Sequence, residues 1–178
     1  MYLEAISDAG EAKNTLTIQG NAKMVLTANP DPNSQNAVLA ENDKAINEVS
    51  GDSVEKNTIT GRVLAKTAGQ NTITLESLDI TGDIRTEAGG TNTITIAENL
   101  TAQAPNNNNA VRGDVSAMVG ANTLKFFNTT LTSGVVEADG VHSSNHITFG
   151  ESSSSVSYTH LTLPTTVGPC RSRWSPYH

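Results

Sequence analysis

Apolar and polar positions along this chain alternate with a period of two, and one short word carries the alternation. Asn-Thr-Ile-Thr is intact at Asn57–Thr60, Asn71–Thr74 and Asn92–Thr95. Near copies occupy Asn14–Thr17, Asn122–Lys125 and Asn145–Thr148, with a weaker one at Asn36–Leu39. Side chains of an extended strand point alternately to opposite faces. Asn71, Ile73 and Leu75 therefore share one face, and Thr72 and Thr74 the other. The same parity groups Asn14/Leu16/Ile18, Asn92/Ile94/Ile96, Asn122/Leu124/Phe126 and Asn145/Ile147/Phe149. Each copy reads as a strand with an aliphatic or aromatic face inward and a threonine face in solvent.

Successive asparagines of the word lie 22, 21, 14, 21, 30 and 23 residues apart. The short interval reads as a shortened unit. The long one holds Pro105–Asn109 and reads as an inserted loop. Glycines recur between the words at Gly51, Gly61, Gly82, Gly113 and Gly134. The clearest unit, Asn71–Thr91, predicts a strand over Asn71–Leu75, a corner at Glu76-Ser77, a second strand over Leu78–Arg85 and a turn over Thr86–Thr91. A period near 20 residues with strand composition points to a solenoid. The expected fold class is all-β, a parallel β-helix of about seven rungs, roughly 30–35 Å long at the usual strand spacing. It would carry a disordered, non-native C-terminal tail. Each rung would cover its neighbour's narrow apolar face, and the asparagines would bond to their copies one rung away. A β-sandwich also suits closely spaced strands, but its strands do not repeat one word in one register. The one stretch with helical character is Asn42–Ser50.

Composition narrows this further. Aromatics make up 4% of the chain, too few for a broad core and enough for a narrow stacked one. The net charge of −7 argues against nucleic acid, which needs clustered Lys and Arg. No apolar run approaches the roughly 20 residues of a membrane-spanning helix. No signal peptide follows Met1, so the expectation is an internal fragment whose export signal lies elsewhere. The single cysteine, Cys170, allows no intramolecular disulfide.

The character changes at Val156. The segment 156–178 holds the only Trp and the only Cys and has no acidic residue. Val156–Thr165 resembles an in-frame translation of a transposon-end sequencing adapter, Thr166–Pro169 its variable index and Cys170–His178 the outer adapter. That resemblance implies an artefactual tail after a repeat segment spanning residues 1–155.

Candidate chemistry is sparse. Arg112-Gly113-Asp114 spells the integrin-recognition triad but falls in the slot of Thr81-Gly82-Asp83, which reads as ordinary repeat. His142 and His146 are four apart, a metal spacing on a helix that does not converge on a strand. Asp79, Asp83, Glu87 and Glu98 are the acids a glycan-cleaving site would draw on; they read as a solvated face. Asn99-Leu100-Thr101 and Asn128-Thr129-Thr130 match the glycosylation pattern. No phosphate loop and no Ser or Cys nucleophile signature appears. Catalytic, cofactor and metal residues are accordingly expected to be none.

The units Ile80–Ile84 and Gly90–Ile96 resemble the repeats of bacterial autotransporter passenger domains, above all the large passengers related to vacuolating cytotoxin. The resemblance implies a right-handed parallel β-helix, export through the outer membrane, and display on or release from the cell surface. The function it implies is a non-enzymatic scaffold segment of an adhesin or toxin-like passenger, presenting a rod surface and the loops Pro105–Asn109 and Pro30–Gln35. Its partners would be host-cell surface or other bacterial surface molecules. The alternative is a polysaccharide-acting β-helix enzyme, a lyase or glycoside hydrolase.

Overall fold

A computed structural model describes residues 1–8, 10–53, 55–97 and 108–157. Among them every regular element is a β-strand, and every strand pairing is parallel. Parallel neighbours cannot be joined by a tight hairpin. Here the chain leaves each strand for other strands before it returns beside the first.

Three ladders result, each visited six times in the same order. Ladder I stacks β1 (Leu3–Ile6), β4 (Asn36–Glu41), β7 (Arg62–Lys66), the start of β10 (Ile84–Ile96), the start of β12 (Val115–Phe126) and β14 (Val136–Asp139). Ladder II stacks β2 (Ala12–Ile18), β5 (Ala45–Gly51), β8 (Gln70–Leu75), the ends of β10 and β12, and β15 (Ser144–Phe149). Ladder III stacks β3 (Val25–Thr27), β6 (Asn57–Thr60), β9 (Leu78–Thr81), β11 (Asn109–Arg112), β13 (Thr129–Ser133) and β16 (Ser154–Ser157). Because β10 and β12 run through the first corner unbroken, ladders I and II form one ten-stranded sheet, and ladder III is a six-stranded sheet.

Six passes replace the seven units expected from spacing, because two of the seven asparagines lie elsewhere. Asn57 opens a ladder III strand and Asn36 a ladder I strand. The 14-residue interval from Asn57 to Asn71 therefore joins different ladders within neighbouring passes. The missing member is Asn47, in register with Asn14 and Asn71. It sits in the stretch expected to have helical character. There Ala45, Asn47 and Val49 are buried while Ile46, Glu48 and Ser50 are not, the period-two signature of a strand.

The unit is also divided differently from the expectation. The strand predicted over Leu78–Arg85 breaks at Gly82-Asp83, where the chain passes from ladder III to ladder I. The turn predicted over Thr86–Thr91 lies inside β10, as a register shift between Glu87 and Gly90 with left-handed backbone at Ala88 and Gly89. The Gly82 corner admits only glycine. Its φ is +143°, and a Cβ there would lie 2.3 Å from the Gly61 carbonyl oxygen. Gly113 repeats this on Gly82 at 2.2 Å. Gly51, grouped with these by spacing, instead pairs with Ile18 and Leu75 on ladder II.

The core is made of columns of like residues. Val38, Val63, Ile84 and Val115 line ladder I; Val49, Ile73, Ile94 and Leu124 line ladder II; Leu26, Ile59, Ile80, Val111 and Leu131 line ladder III. All are buried, and each rests on its copies one strand away. Phe126 and Phe149 end the second ladder II column as a tilted pair with ring centroids 6.0 Å apart. The compositional boundary at residue 156 falls inside β16, where Val156 pairs with Thr132 and is 42% exposed. Residues 158–178, most of the expected tail, lie outside the described residues.

Candidate functional surface

The bonding of the repeated polar groups decides which side chains are free to act. One asparagine per pass sits at the start of ladder II, with its side chain turned inward at the corner with ladder I. Its amide donates twice in the first five passes and once, at Asn145, in the last. One bond goes to the next asparagine: Asn14 to Asn47, Asn47 to Asn71, Asn71 to Asn92 and Asn92 to Asn122 at 2.9 Å, and Asn122 to Asn145 at 2.8 Å. The other goes to a ladder I carbonyl of the same pass, those of Glu4, Leu39, Leu64, Arg85, Ser116 and Glu137 in turn. Asn47, Asn71, Asn92 and Asn122 are buried, and the buried amides are satisfied by copies of themselves. The asparagine is therefore structural at all six positions.

The other corners use different groups for the same end. Asp83 Oδ1 accepts from the Asp114 backbone N–H at 3.1 Å, and Asp114 Oδ1 from that of Val135 at 2.9 Å. Asn57 Oδ1 accepts from the Met24 N–H at 2.8 Å, and Asn109 Oδ1 from the Leu78 N–H at 3.0 Å. Each side chain ties one pass to the next.

Arg112 ends β11 on its outer face, Gly113 forms the corner, and the Asp114 carboxylate is held by the next pass. The triad is thus split between strand and corner and does not project as a turn. His142 lies in a corner with left-handed backbone, and His146 lies on the outer face of β15. Among the described residues no group of three or more His, Cys, Asp or Glu could hold a metal ion.

The acids go to three places around the pass. Asp79 is on ladder III, where it accepts from the Ala110 N–H at 2.9 Å and pairs with Lys56 at 3.3 Å. Asp83 is at the corner between ladders III and I, and Glu87 is on ladder I beside Arg85 at 2.6 Å. The structure does not bring these three together as the paired carboxylates that glycoside cleavage needs. Glu98, Asn99–Thr101 and the Pro105–Asn107 part of the expected inserted loop lie outside the described residues. Asn128 occupies a corner, and the Thr129 of its glycosylation pattern is buried against the Phe127 carbonyl.

Two kinds of outward surface remain. The first is the outer face of ladder II, where Thr15, Thr72, Thr93 and Thr123 occupy one column and Thr17, Thr74 and Thr148 lie in the next, whose Thr95 is buried. Strands about 4.8 Å apart make this a flat hydroxyl grid, broken by Glu48, Lys125 and His146. The second is the Pro30–Gln35 loop between β3 and β4, which is largely exposed. Two Asx turns shape it: Asn29 Oδ1 accepts from the Asp31 N–H at 3.0 Å, and Asp31 Oδ1 from the Asn33 N–H at 2.9 Å. Its end is pinned by the Arg62 N–H on the Gln35 carbonyl at 2.7 Å. Open depressions lie beside Ser7, Asn42 and Lys44 and at the edge formed by Tyr2, Glu4 and Asn14; neither includes Asp79, Asp83 or Glu87.

The one sequence signal for Asn47 was the alternation that sets Ala45, Asn47 and Val49 on one side of the strand. Its word, Asn-Glu-Val-Ser, shares only the parity of Asn-Thr-Ile-Thr. No protein-family model, curated protein or solved structure matches the chain.

Proposed function

We propose that the three ladders form a right-handed parallel β-helix of six turns, and that this β-helix is a scaffold segment of a secreted or surface-displayed passenger of the autotransporter type. Its role is to hold a rod surface and short loops at fixed spacing and to present them to host-cell or bacterial surface molecules. The observation that carries this reading is the asparagine column. Every repeated polar group along it is spent on joining one pass to the next, as a scaffold requires. The corner aspartates are engaged in the same way. What is left for recognition is the hydroxyl grid and the Pro30–Gln35 loop.

The test places the chain between a signal peptide and a translocator barrel. Intact cells are then probed with an antibody to the Pro30–Gln35 loop and with external protease. Loop accessibility on whole cells, with the strands resisting cleavage, is the expected outcome. Retention inside the envelope would refute the export reading. Cleavage of an acidic polysaccharide by the purified chain, abolished by D79N or D83N, would replace the scaffold with the enzyme.

A further inference from the structure

We propose that Lys56 and Asn109 are a cross-linking pair, joined through an isopeptide bond between the lysine amine and the asparagine carboxamide, with Asp79 carrying the protons. Three successive strands of ladder III meet here. Lys56 immediately precedes β6, Asp79 is on β9 and Asn109 opens β11. Lys56 Nζ lies 3.3 Å from Asn109 Oδ1, 3.3 Å from Asp79 Oδ1 and 2.9 Å from the Asn108 carbonyl oxygen. The amine is thus held in contact with the carboxamide, as positioned reactants must be. Asn109 is 1% exposed, and its Oδ1 also accepts from the Leu78 N–H at 3.0 Å. That N–H is a fixed donor at the oxygen where charge develops during attack. Asp79 is fixed in turn by the Ala110 N–H at 2.9 Å.

The amide nitrogen of Asn109 sets it apart from a structural asparagine. Asn57 takes the same place at the start of a ladder III strand, and its Nδ2 donates to the Glu55 and Ser77 carbonyls at 3.2 and 2.9 Å. Asn109 Nδ2 is buried and has no partner among the described residues. An unpaired buried polar group calls for a role beyond packing, and here it is the leaving group. Nζ gives a proton to the Asp79 carboxylate and attacks Asn109 Cγ, forming the Nζ–Cγ bond. The Cγ–Nδ2 bond then breaks. Two protons in all pass from Nζ to Nδ2 by way of Asp79, which ends as it began. One lysine ammonium and one carboxamide give one secondary amide and one ammonium ion, with no other reactant. The bond closes a span of 53 residues and fastens β11, at the far end of the long run from Ile96, to the strand two passes earlier. It constrains the unfolded chain as a disulfide does. The inference rests on interior passes and stands apart from the export reading.

The intact mass of the full chain in denaturant reads the bond directly. The expected mass is one ammonia below the sum of the residues. Trypsin should yield one linked peptide joining residues 45–62 to residues 86–112, with no cleavage after Lys56. K56R keeps the positive charge without a nucleophilic amine and is expected to show the full mass and no linked peptide. D79N keeps an acceptor for the Ala110 N–H but cannot carry the proton, and is expected to slow linkage about a hundredfold or more. Circular dichroism confirms that each variant is folded, and K56R, at a part-exposed position, keeps the test open if D79N is not. Full mass with ready cleavage after Lys56, in folded wild-type chain after prolonged incubation, overturns the inference. So does loss of ammonia without the linked peptide, because the ammonia would then come from another site. Linkage at the wild-type rate in folded D79N overturns the role given to Asp79.

Discussion

Replacing an interior asparagine of the column by alanine should destabilise the fold far more than replacing the one at its end. Asn71 is 1% exposed and makes three side-chain bonds: it accepts from Asn47 at 2.9 Å and donates to Asn92 at 2.9 Å and to the Leu64 carbonyl at 2.8 Å. N71A leaves a buried Asn47 N–H without an acceptor and removes one donor each from Asn92 Oδ1 and the Leu64 carbonyl. A buried donor left unmade costs about 1–3 kcal/mol. The two acceptors lose less, because a carbonyl oxygen has a second lone pair. Together with the cavity, the expected cost is about 3–4 kcal/mol. At Asn145, half-buried on the last pass, the Asn122 amide loses an acceptor and the Glu137 carbonyl a donor, and solvent can replace both, so N145A should cost about 1 kcal/mol.

Equilibrium urea unfolding followed by circular dichroism measures both, the midpoint shift being converted with the common slope. Stacked repeats can unfold in pieces, so a shared slope is the condition for comparing them. Equal losses at the two positions would refute the argument that the column is a cooperative chain of buried bonds. A sharper control uses the two asparagines that the sequence pattern confuses. N47A should match N71A, whereas N36A, outside the column, should cost under about 1 kcal/mol. The reverse order would restore the repeat as spacing alone suggested it.

Burial predicts that I94A costs about 2–5 kcal/mol while T93S stays within about 0.5 kcal/mol; thermal melts ranking them the other way would invert the face assignment. G113A should be severely destabilising or prevent folding, because its Cβ would meet the Gly82 carbonyl oxygen at 2.2 Å and the φ is +150°; a soluble variant with a wild-type melt would remove the glycine corner from the account. K66A breaks the ion pair with Glu41 at 2.8 Å, whose side chains are 32% and 28% exposed. It should cost under about 1 kcal/mol and less still in 1 M salt; a large loss that salt does not reduce would mean the lysine stem, not its charge, is what matters.

Parity was legible in the sequence and ladder membership was not. Alternation placed Ile73, Ile94, Leu124 and their asparagines inward, and burial agrees. The word itself misled where two ladders share it. Asn57-Thr-Ile-Thr spells the column's motif yet lies on ladder III, because an inward asparagine also serves that corner, where Asn57 accepts from the Met24 N–H. Asn47 was hidden for the opposite reason. Its outward neighbour is Glu48, paired with Lys13 at 2.9 Å, and an outward position tolerates a charge as readily as a threonine. Local wording reports which face a residue takes. Which ladder it joins is set by pairing with strands 20 or more residues away, and corner geometry such as that at Gly82 and Asp83 shows only once those strands are stacked.

The same division bears on where recognition could arise. An inward position is constrained by copies of itself on both sides, so a change at Ile94 disturbs Ile73 and Leu124 as well. A corner need only return the chain to register. Between β10 and β11 the chain runs from Ile96 to Asn109, whereas Leu75 and Leu78, the residues that pair with these two or share their corner one pass earlier, are three apart. Register is nevertheless kept on both sides: Asn92 stays opposite Asn71, and Val111 opposite Ile80. The extra length therefore costs the ladders no pairing, and loop closure grows only slowly with length. Corners are the sites at which such a stack can acquire new chemistry without changing its core, and Pro30–Gln35 between β3 and β4 is a second example. On the proposed scaffold role, a change in surface binding between variants of this chain should map to corner length and sequence, with the inward columns unchanged. Exchanging the Pro30–Gln35 loop for a short glycine corner like that at Gly82-Asp83 tests this directly. On that proposed role, the melt should move little while binding to the cell surface is lost. Loss of the fold would instead show that this corner is part of the core.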